Sequence, residues 1–310
     1  MKAAAMTIIL NPFASGGRAM KKWNALLEAM PAVMEGATLE ILGGQMSVDE
    51  IVREALRRGE RYFVAAGGDG TVNLVLEALM NAGCEKEAAL GAIGLGSSND
   101  FHKPYLNEDL CAETALKIDF MSAQPRDVGS FTFGAPERRR YFLVNASVGV
   151  TAEANDLFNH PDRLLAFQKR HATQAAIYYA ALKTILTYRN RSVMISSSGG
   201  GTFWTSLTNL GVVKSPHFSG NLSYGGSAFY DDGLLKLHLC EDLNTGELFR
   251  LLRALGAKNG CRPVSGIRTW SSPDITVEAD SPFAVEFDGE VVRTASARFT
   301  VIPRTLKVCP

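Results

Sequence analysis

The sequence predicts an α/β N-terminal domain with a parallel sheet, followed by a mostly antiparallel β-sandwich C-terminal domain. About the first 120 residues alternate short apolar runs with segments of helical period, which is the pattern of βαβ units. From about Arg126 onward, strand-like runs become frequent, which is typical of a sandwich that carries extra helices. The length of 310 residues exceeds one ordinary domain, and 46% apolar residues can bury a sizeable core.

The N-terminal domain should contain four strands and three helices. Ser47, with Glu50 three residues later, has the pattern of a capping box and predicts where the second helix begins. The predicted strands are residues 6–10, 38–42, 61–66 and 89–95, and the helical segments are residues 20–30, 51–56 and 72–79.

The C-terminal domain should be mainly β-structure with two helices. Asn244, with Glu247 three residues later, predicts the start of the second of these helices. The boundary between the domains should fall near residues 122–129, which contain a Gln-Pro pair. The predicted strands are residues 140–150, 192–197, 203–213, 233–239, 275–279, 283–287 and 298–302, and the helices are residues 172–188 and 247–257.

Charge and cysteine content exclude several classes of protein. Thirty-two basic and thirty-two acidic residues give a net charge of zero, so no global field draws the chain to nucleic acid. The five cysteines are scattered and form no Cys-x-x-Cys pair, which disfavours zinc and disulfides and fits a reducing cytosol. No apolar run reaches the roughly 18 residues that a membrane-spanning helix needs.

The sharpest chemical signal is the glycine turn Gly67-Gly68-Asp69-Gly70-Thr71, between a predicted strand and a predicted helix. Because glycines lack a Cβ, backbone N–H groups in such a turn can approach phosphate oxygens, and the helix N-terminus adds partial positive charge. A carboxylate beside a phosphate is reasonable if Mg²⁺ lies between them, which would be the role of Asp69. A plain turn with capping residues is the alternative.

Two further loops support a phosphate site. Residues 11–17 (Asn-Pro-Phe-Ala-Ser-Gly-Gly) follow the first strand, and residues 94–101 (Gly-Leu-Gly-Ser-Ser-Asn-Asp-Phe) follow the fourth. In a parallel sheet, these loops and the glycine turn would open at the carboxyl edge of the strands, where such folds bind ligands. Each loop alone is more simply an ordinary turn.

Acidic residues of the second domain are candidates for an acceptor site. Asp127 lies at the domain boundary, Asp232 precedes a strand, and Asp288 and Glu290 flank Gly289 between two strand-like runs. Asp-Gly between strands is also a strong hairpin signal, so a plain turn at this last position stays open.

Six motifs occur in a fixed order along the chain: Asn11-Pro12 with Ser15-Gly16, the glycine turn, residues 96–101, Asp127-Val128-Gly129, Asp232-Gly233 and Asp288-Gly289-Glu290. This ordered set resembles the diacylglycerol-kinase-type lipid kinases, above all their bacterial soluble branch, with sphingosine and ceramide kinases as relatives. The likeness runs from Asn11 to about Val308. The glycine turn alone also resembles NAD kinases and phosphofructokinases.

The resemblance implies a nucleotide-binding domain of the NAD-kinase/diacylglycerol-kinase-like fold over residues 1–128. It implies a β-sandwich lipid-substrate domain over residues 129–302 and a final strand, residues 303–310, that returns to the first domain. The implied nucleotide contacts are Asn11, Ser15, Gly67, Gly68, Asp69, Gly70, Thr71 and Ser97.

The resemblance also assigns catalytic roles. Asp69, Asp127 and Asp288 are similar to the carboxylates that organise catalytic Mg²⁺ through water. Glu290 resembles the general base that takes the proton of the acceptor hydroxyl.

A structural Mg²⁺ is implied in the second domain. It would be held by the side chain of Asp232 and the backbone carbonyls of Phe229 and Leu234. The chain departs from the family pattern here, because residues 226–231 are shorter than the usual proline-containing connection.

The function that the resemblance implies is an ATP- and Mg²⁺-dependent lipid kinase of phospholipid metabolism. It would phosphorylate a primary hydroxyl, first of all that of diacylglycerol, which gives phosphatidate. Other lipid alcohols (a sphingoid base, ceramide, phosphatidylglycerol), an NAD-kinase-like phosphotransferase and a non-catalytic nucleotide-binding regulator stay open. We expect a cytoplasmic protein with transient peripheral membrane contact and no nucleic-acid partner, and a homodimer stays open.

Three segments bear on membrane contact. Residues 138–140 and 169–171 are basic clusters, and each basic residue near a membrane adds about 1 kcal/mol of attraction to anionic lipid. A solvated loop is the simpler explanation of both. The apolar stripe within residues 177–186 predicts core packing, with an acyl-chain groove as the second hypothesis.

Overall fold

A computed structural model describes residues 5–105, 110–171, 173–220, 222–226, 229–256 and 267–310. The chain forms two compact units: unit 1 comprises Met1–Arg126 and Arg304–Pro310, and unit 2 comprises Asp127–Pro303. The predicted limits are close to these: residue 128 for the end of the first domain and residue 303 for the start of the strand that returns to it. Cys261 and the side chains of the basic cluster at residues 169–171 lie outside the described part of the chain.

Unit 1 alternates strands and helices. Its elements are β1 (Met6–Leu10), the single turn α1 (Ala14–Gly17), α2 (Ala19–Ala29), a 3₁₀ helix (Pro31–Met34), β2 (Ala37–Ile41), α3 (Val48–Arg57), β3 (Tyr62–Gly67), α4 (Asp69–Ala82), β4 (Ala89–Gly94), a 3₁₀ helix (Asp100–His102), β5 (Leu110–Cys111) and β6 (Thr114–Lys117).

Unit 2 is mainly strands with four helices in its described residues, and its first and last strands begin or end in unit 1. Its elements are β7 (Gln124–Phe133), β8 (Arg138–Phe142), β9 (Asn145–Gly149), α5 (Val150–Asn159), α6 (Arg163–His171), α7 (Thr173–Thr187), β10 (Arg191–Ser197), β11 (Gly201–Val213), β12 (His217–Phe218), β13 (Leu222–Ser223), β14 (Leu235–Glu241), α8 (Thr245–Leu255), β15 (Ile267–Ser272), β16 (Asp274–Phe287) and β17 (Glu290–Val308).

In unit 1, β1 pairs in parallel with β2 and β3, and β3 pairs in parallel with β4. The end of β17 continues this sheet, because Lys307 and Val308 pair in parallel with β4. β6 adds an antiparallel strand to β4. Since β4, β3 and β1 are neighbours, the loops that follow them emerge side by side at the carboxyl edge of the sheet.

One core of unit 1 forms where α2 packs on this sheet. Trp23 and Leu26 of α2 are buried with Ile8 of β1 and Val64 of β3.

The predicted capping box of α3 is confirmed. The Ser47 hydroxyl accepts from the backbone N–H of Glu50, and the Glu50 carboxylate accepts from the backbone N–H of Ser47.

Unit 2 is built from antiparallel pairs in the order β15, β14, β11, β10, β16 and β17. β9 pairs with both β11 and β16, and β7 pairs with β8. Its main core contains many aromatic and β-branched side chains, among them Phe131, Phe142, Phe283, Phe299, Val193, Ile195, Val277 and Val285. The predicted capping box of α8, formed by Asn244 and Glu247, is confirmed.

Several strands of unit 2 differ from the sequence prediction. The predicted strand over residues 140–150 is two strands, because the N–H groups of Leu143, Val144 and Asn145 donate to the carboxylate of Asp288. The two predicted strands at residues 275–287 are one strand, β16, with a register shift between Glu278 and Phe283.

Helices α5 and α6 are absent from the sequence prediction. The sequence of α5 is rich in weak helix formers, and tertiary contacts support the helix instead. The side chain of Asn209 accepts from both the N–H and the hydroxyl of Thr151 in its first turn.

Across the described residues, no helix combines the length and the apolar character that a bilayer crossing requires.

Candidate active site

The glycine turn of unit 1 is compact and leaves no room for a side chain at Gly67. A Cβ on Gly67 would lie 2.2 Å from Oγ1 of Thr71, and Gly68 is the N-terminal cap of α4. The N–H of Thr71 donates to the carbonyl of Gly68 at 2.8 Å. Helix α4 therefore begins at Asp69, and its N-terminal N–H groups lie at the turn.

The loop after β4 packs directly on this turn. A Cβ on Gly96 would lie 2.4 Å from the Cα of Gly68, and the N–H of Gly96 donates to the carbonyl of Gly67 at 3.0 Å. Asn99, in a left-handed conformation with φ 49°, holds the loop closed: its Oδ1 accepts from the N–H of Gly96, and its Nδ2 donates to the carbonyl of Gly94.

The loop after β1 completes the group. Asn11 donates from Nδ2 to Oγ1 of Thr71 at 3.0 Å, and its N–H donates to the carbonyl of Ala66 at 2.9 Å. Ser15 and the glycine after it have positive φ angles of 55° and 65°. This turn brings Oγ of Ser15 within 3.4 Å of Oγ of Ser97, so the three loops adjoin one another.

Asp69 is half-buried in the first turn of α4. Its Oδ1 accepts from the N–H of Phe101 at 2.9 Å, which links the helix start to the loop after β4. Burial, with further contributions from the carboxylates of Asp100 and Asp69, raises the pKa of Tyr105 to about 12. All eight implied nucleotide contacts lie on these three loops: Asn11, Ser15, Gly67, Gly68, Asp69, Gly70, Thr71 and Ser97.

Asp288 in unit 2 has a clear structural role. It lies with Gly289 in the two-residue turn between β16 and β17, with a φ of 45°, and is only 4% exposed. Its carboxylate accepts from three consecutive backbone N–H groups, those of Leu143, Val144 and Asn145, at 2.7 to 3.1 Å. Asp288 and Gly289 thus form the hairpin turn that the Asp-Gly signal predicts, and the carboxylate also orders the segment between β8 and β9.

Asp127 is buried on β7 and is paired with Lys214, which follows β11. The Nζ of Lys214 lies 2.8 Å from Oδ2 of Asp127, and the N–H of Gly233 donates to the same oxygen at 2.8 Å. The backbone of Lys214 connects this pair to the segment at Asp288, because its N–H donates to the carbonyl of Val144 at 2.9 Å.

Glu290 differs from both aspartates. It begins β17 directly after the turn and is exposed. Among the residues that the structure describes, its carboxylate has neither a hydrogen-bond nor an ion-pair partner. Of the three acids of unit 2 with an implied catalytic role, Asp127, Asp288 and Glu290, only Glu290 is exposed.

The implied structural Mg²⁺ does not fit the residues present. The Nζ of Lys214 lies 2.8 Å from Oδ1 of Asp232 and 2.8 Å from the carbonyl oxygen of Leu234, two of the three implied ligand atoms. Phe229, which would supply the third, is 48% exposed. An ammonium and a divalent cation repel each other at such a site. Within the described residues, no cluster of three or more His, Cys, Asp or Glu side chains could hold a metal.

Sequence reasoning missed Lys214 and Asn99. Lys214 follows directly after the apolar end of β11, where a buried charge requires an acidic partner, and this position was its only signal. Asn99 is part of the predicted loop, but nothing in the sequence distinguishes its bridging amide from an ordinary polar side chain.

Two families match the chain and together cover most of it. The diacylglycerol kinase catalytic domain matches residues 5–130, and the YegS C-terminal NAD kinase beta sandwich-like domain matches residues 145–310. The second match alone exceeds half of the 310 residues. The chain belongs to the YegS/diacylglycerol kinase family of lipid kinases. The resemblance stated from the sequence is therefore confirmed, and the protein is an ATP-dependent lipid kinase by family.

Relatives of the kinase include two proteins described as probable lipid kinase YegS-like. The one from Pseudomonas putida is 27% identical over 257 residues, and the one from Pseudomonas aeruginosa is 29% identical over 265 residues. Each alignment covers 83% of the kinase and 79% of the relative.

Solved structures agree in fold. The kinase superimposes on a putative diacylglycerol kinase from Bacillus anthracis with a TM-score of 0.73 and 20% identity, covering 100% of the kinase and 96% of that chain. A second Bacillus anthracis diacylglycerol kinase structure gives a TM-score of 0.69 and 17% identity, covering 100% and 97%.

Proposed function

We propose that the kinase transfers the γ-phosphoryl group of ATP to the primary hydroxyl of diacylglycerol, which gives phosphatidate. One observation carries the proposal: three glycine- and hydroxyl-containing loops adjoin one another at the N-terminus of α4, and Asp69 lies in its first turn. Such a site offers backbone N–H groups and a helix N-terminus to the phosphates, and these groups are already in place before the substrate binds.

Mg²⁺ is the proposed partner of the phosphates. The side chains of Asp69, Ser15 and Ser97 present oxygen atoms at the loops, and Mg²⁺ is bound through oxygen, usually by one or two carboxylates together with substrate phosphates. The donor set therefore suits Mg²⁺, and Asp69 is the residue that would hold it. When bound, the ion would neutralise part of the charge of the transferring phosphoryl group.

Glu290 is the proposed acceptor of the proton from the lipid hydroxyl. The turn before it is rigid, because the Asp288 carboxylate is fixed by three backbone N–H groups and the carbonyl of Gly289 accepts from Nδ2 of Asn159 at 2.9 Å. A rigid turn limits the positions of the side chain that follows it, which favours transfer to one defined oxygen.

Asp127 and Asp288 are proposed to support this chemistry from buried positions. Their carboxylates already accept at least two and at least three hydrogen bonds, respectively, from within unit 2. This favours a role in which they orient water molecules and the Glu290 turn, as the resemblance to water-mediated carboxylates implies.

Peripheral membrane contact is proposed for α7. Tyr178, Leu182 and Leu186 are four residues apart on this helix, so they lie on one face, and they are 65%, 46% and 55% exposed. Ile185, from the same predicted stripe, is buried with Val150 and Leu248 instead. An exposed apolar face suits a transient contact with lipid, and a cytoplasmic location fits the scattered cysteines.

The decisive experiment incubates the kinase with Mg-ATP and a panel of acceptors and follows ADP release. The panel holds diacylglycerol, ceramide, a sphingoid base and phosphatidylglycerol in mixed micelles, and NAD in solution. Diacylglycerol-dependent ADP with phosphatidate as product supports the proposal. ADP release that depends on another lipid would identify that lipid as the acceptor in place of diacylglycerol. NAD-dependent ADP release would point to an NAD-kinase-like activity. Tight ATP binding without turnover on any acceptor points to a non-catalytic regulator.

A further inference from the structure

The side chain of Lys214 is enclosed in unit 2 and fully hydrogen-bonded. It is 1% exposed, and its Nζ lies 2.8 Å from each of three oxygens: Oδ2 of Asp127, Oδ1 of Asp232 and the carbonyl of Leu234. An ammonium has three N–H donors, so these acceptors satisfy all of them. Because two carboxylates surround this one buried cation, loss of its positive charge would leave a buried carboxylate without a partner.

These contacts attach one loop to β7. The N–H of Gly233 donates to Oδ2 of Asp127, and the N–H of Leu234 donates to Oδ1 of Asp232 at 3.0 Å. The N–H of Asp127 donates to the carbonyl of Tyr230 at 2.6 Å. Without a cation at the centre, two carboxylates would face each other across this loop and repel.

We propose that the ammonium of Lys214 takes the place of the structural divalent cation that the family resemblance implies at Asp232, Phe229 and Leu234. A divalent ion bound at about 2.1 Å from the oxygens of Asp232 and Leu234 would lie within about 5 Å of Nζ. The same oxygens cannot bind both cations favourably, because the two positive charges repel each other. The lysine is covalently part of the chain and is therefore always present at the site. Unit 2 is therefore built without a metal at this position.

Lys214 is also a positioning residue for the acidic groups of unit 2. Its side chain binds Asp127, and its backbone N–H binds the carbonyl of Val144, whose own N–H donates to Asp288 at 3.0 Å. One residue thus fixes Asp127 relative to Asp288. This second part rests on the proposed function, whereas the replacement of the cation does not.

The chain offers a matched control. Lys214 and Lys236 line the same cavity of about 190 Å³, and Lys236 is half-buried with its Nζ 4.8 Å above the ring of Phe229. A small cation can reach Asp232 through this cavity once the lysine side chain is removed. Lys236→Ala removes an equal charge from the cavity without affecting the oxygens of Asp127 or Asp232.

The test measures thermal unfolding and Mn²⁺ binding without nucleotide. Wild type should melt at the same temperature in EDTA and in millimolar Mg²⁺, and equilibrium dialysis should find no tight Mn²⁺ site. Lys214→Ala should melt lower in EDTA by on the order of 10 °C, because a buried carboxylate loses its partner. Mg²⁺ or Mn²⁺ should restore part of this loss, and Lys236→Ala should behave as wild type.

Three results would overturn the proposal: a tight Mn²⁺ site in wild type, a Lys214→Ala variant as stable in EDTA as Lys236→Ala, or a destabilised variant that divalent cations do not restore. If Lys214→Ala does not fold, Lys214→Arg keeps the charge and should fold without metal dependence. The wild-type dialysis decides the question in either case.

Kinetics test the positioning role separately. Lys214→Ala should lower kcat by about 10–100-fold, as loss of an orienting partner does, and leave the KM for ATP unchanged. An unchanged kcat contradicts the positioning role. If the kinase turns over no acceptor at all, the melting and dialysis results still decide whether a lysine replaces the metal.

Discussion

The backbones of Gly68 and Gly96 are in direct contact, since a Cβ on Gly96 would lie 2.4 Å from the Cα of Gly68 and 2.7 Å from Oδ1 of Asn99. Two loops of unit 1 can approach each other this closely because both residues lack a side chain.

Gly96→Ala should therefore separate the glycine turn from the loop after β4. A displacement of about 1 Å should cost on the order of 100-fold in kcat/KM for ATP, since the proposed phosphate-binding groups would no longer converge. Steady-state kinetics and fluorescent-nucleotide binding measure the effect. Gly256→Ala is the control, because its nearest contacts begin at an ordinary 3.4 Å. A Gly96→Ala variant with normal ATP binding would show that the contact does not shape the site.

Asp69→Asn tests the carboxylate at the start of α4. The amide oxygen can still accept from the N–H of Phe101, so the loop contact should persist while the negative charge is lost. We expect kcat to fall by about 10²–10³-fold, and the dependence of the rate on Mg²⁺ concentration to weaken. Asp49→Asn, in the first turn of α3, is the matched control and should cost less than about 1 kcal/mol of stability and no activity. Near-normal turnover of Asp69→Asn would remove the residue from the mechanism.

Glu290→Gln tests the proposed proton acceptor. The amide cannot take a proton, so kcat should fall by about 10²–10⁴-fold, while ATP affinity should hardly change because the proposed nucleotide-binding loops belong to unit 1. Glu137→Gln, at the exposed turn between β7 and β8, is a control of the same chemistry. The kcat and the KM for ATP are obtained from initial rates at varied ATP and varied lipid concentrations. An equal loss in both variants would point to surface charge instead of proton transfer.

Local signals account for the parts of the molecule that the sequence predicts well. Both capping boxes, at Ser47 and Asn244, need only residues three positions apart. The three loops of unit 1 are also foreseeable, because each glycine- or hydroxyl-rich segment follows an apolar strand. Their mutual contacts follow from strand order, which the sequence pattern alone does not state.

Non-local contacts account for what could not be predicted. Asp288 reaches backbone N–H groups more than 140 positions away, and this contact divides the predicted strand before β9. The three partners of Lys214 lie 18 to 87 positions away in the sequence and include a backbone carbonyl, which no motif encodes. The pattern of residue types thus identified the acids of unit 2 but not their hydrogen-bond and ion-pair partners.

His102 predicts a pH dependence for unit 1. It is 2% exposed and packs edge-on against Phe101, and burial, with a contribution from Lys117, lowers its pKa to about 4. Between the ordinary pKa of about 6.5 and about 4, the unfolded chain binds a proton that the folded unit does not. The free energy of unfolding should therefore fall as the pH falls through this window, by on the order of 3 kcal/mol.

The fluorescence of Trp23 allows the unfolding of unit 1 to be measured separately from that of unit 2. With Trp204 and Trp270 replaced by Phe, the fluorescence of Trp23 reports urea unfolding of the core around α2. His102→Leu should flatten the dependence of the urea midpoint on pH between 4 and 6.5, and His160→Leu, an exposed residue of unit 2, should not. A slope that persists in His102→Leu would assign the proton uptake to other groups.

The exposed face of α7 predicts how the kinase meets its lipid substrate. Burying one leucine side chain is worth about 1.5–3 kcal/mol, so Leu182→Glu with Leu186→Glu should lower partitioning onto vesicles that contain diacylglycerol by at least about 10-fold. Co-sedimentation measures this, and kcat/KM on vesicle-borne lipid should fall in parallel. Activity on a short-chain, water-soluble diacylglycerol should be unchanged, because the substitutions lie outside the proposed catalytic residues. Met121→Glu, 87% exposed in unit 1, is the control. Equal vesicle binding by both variants would exclude α7 as the contact.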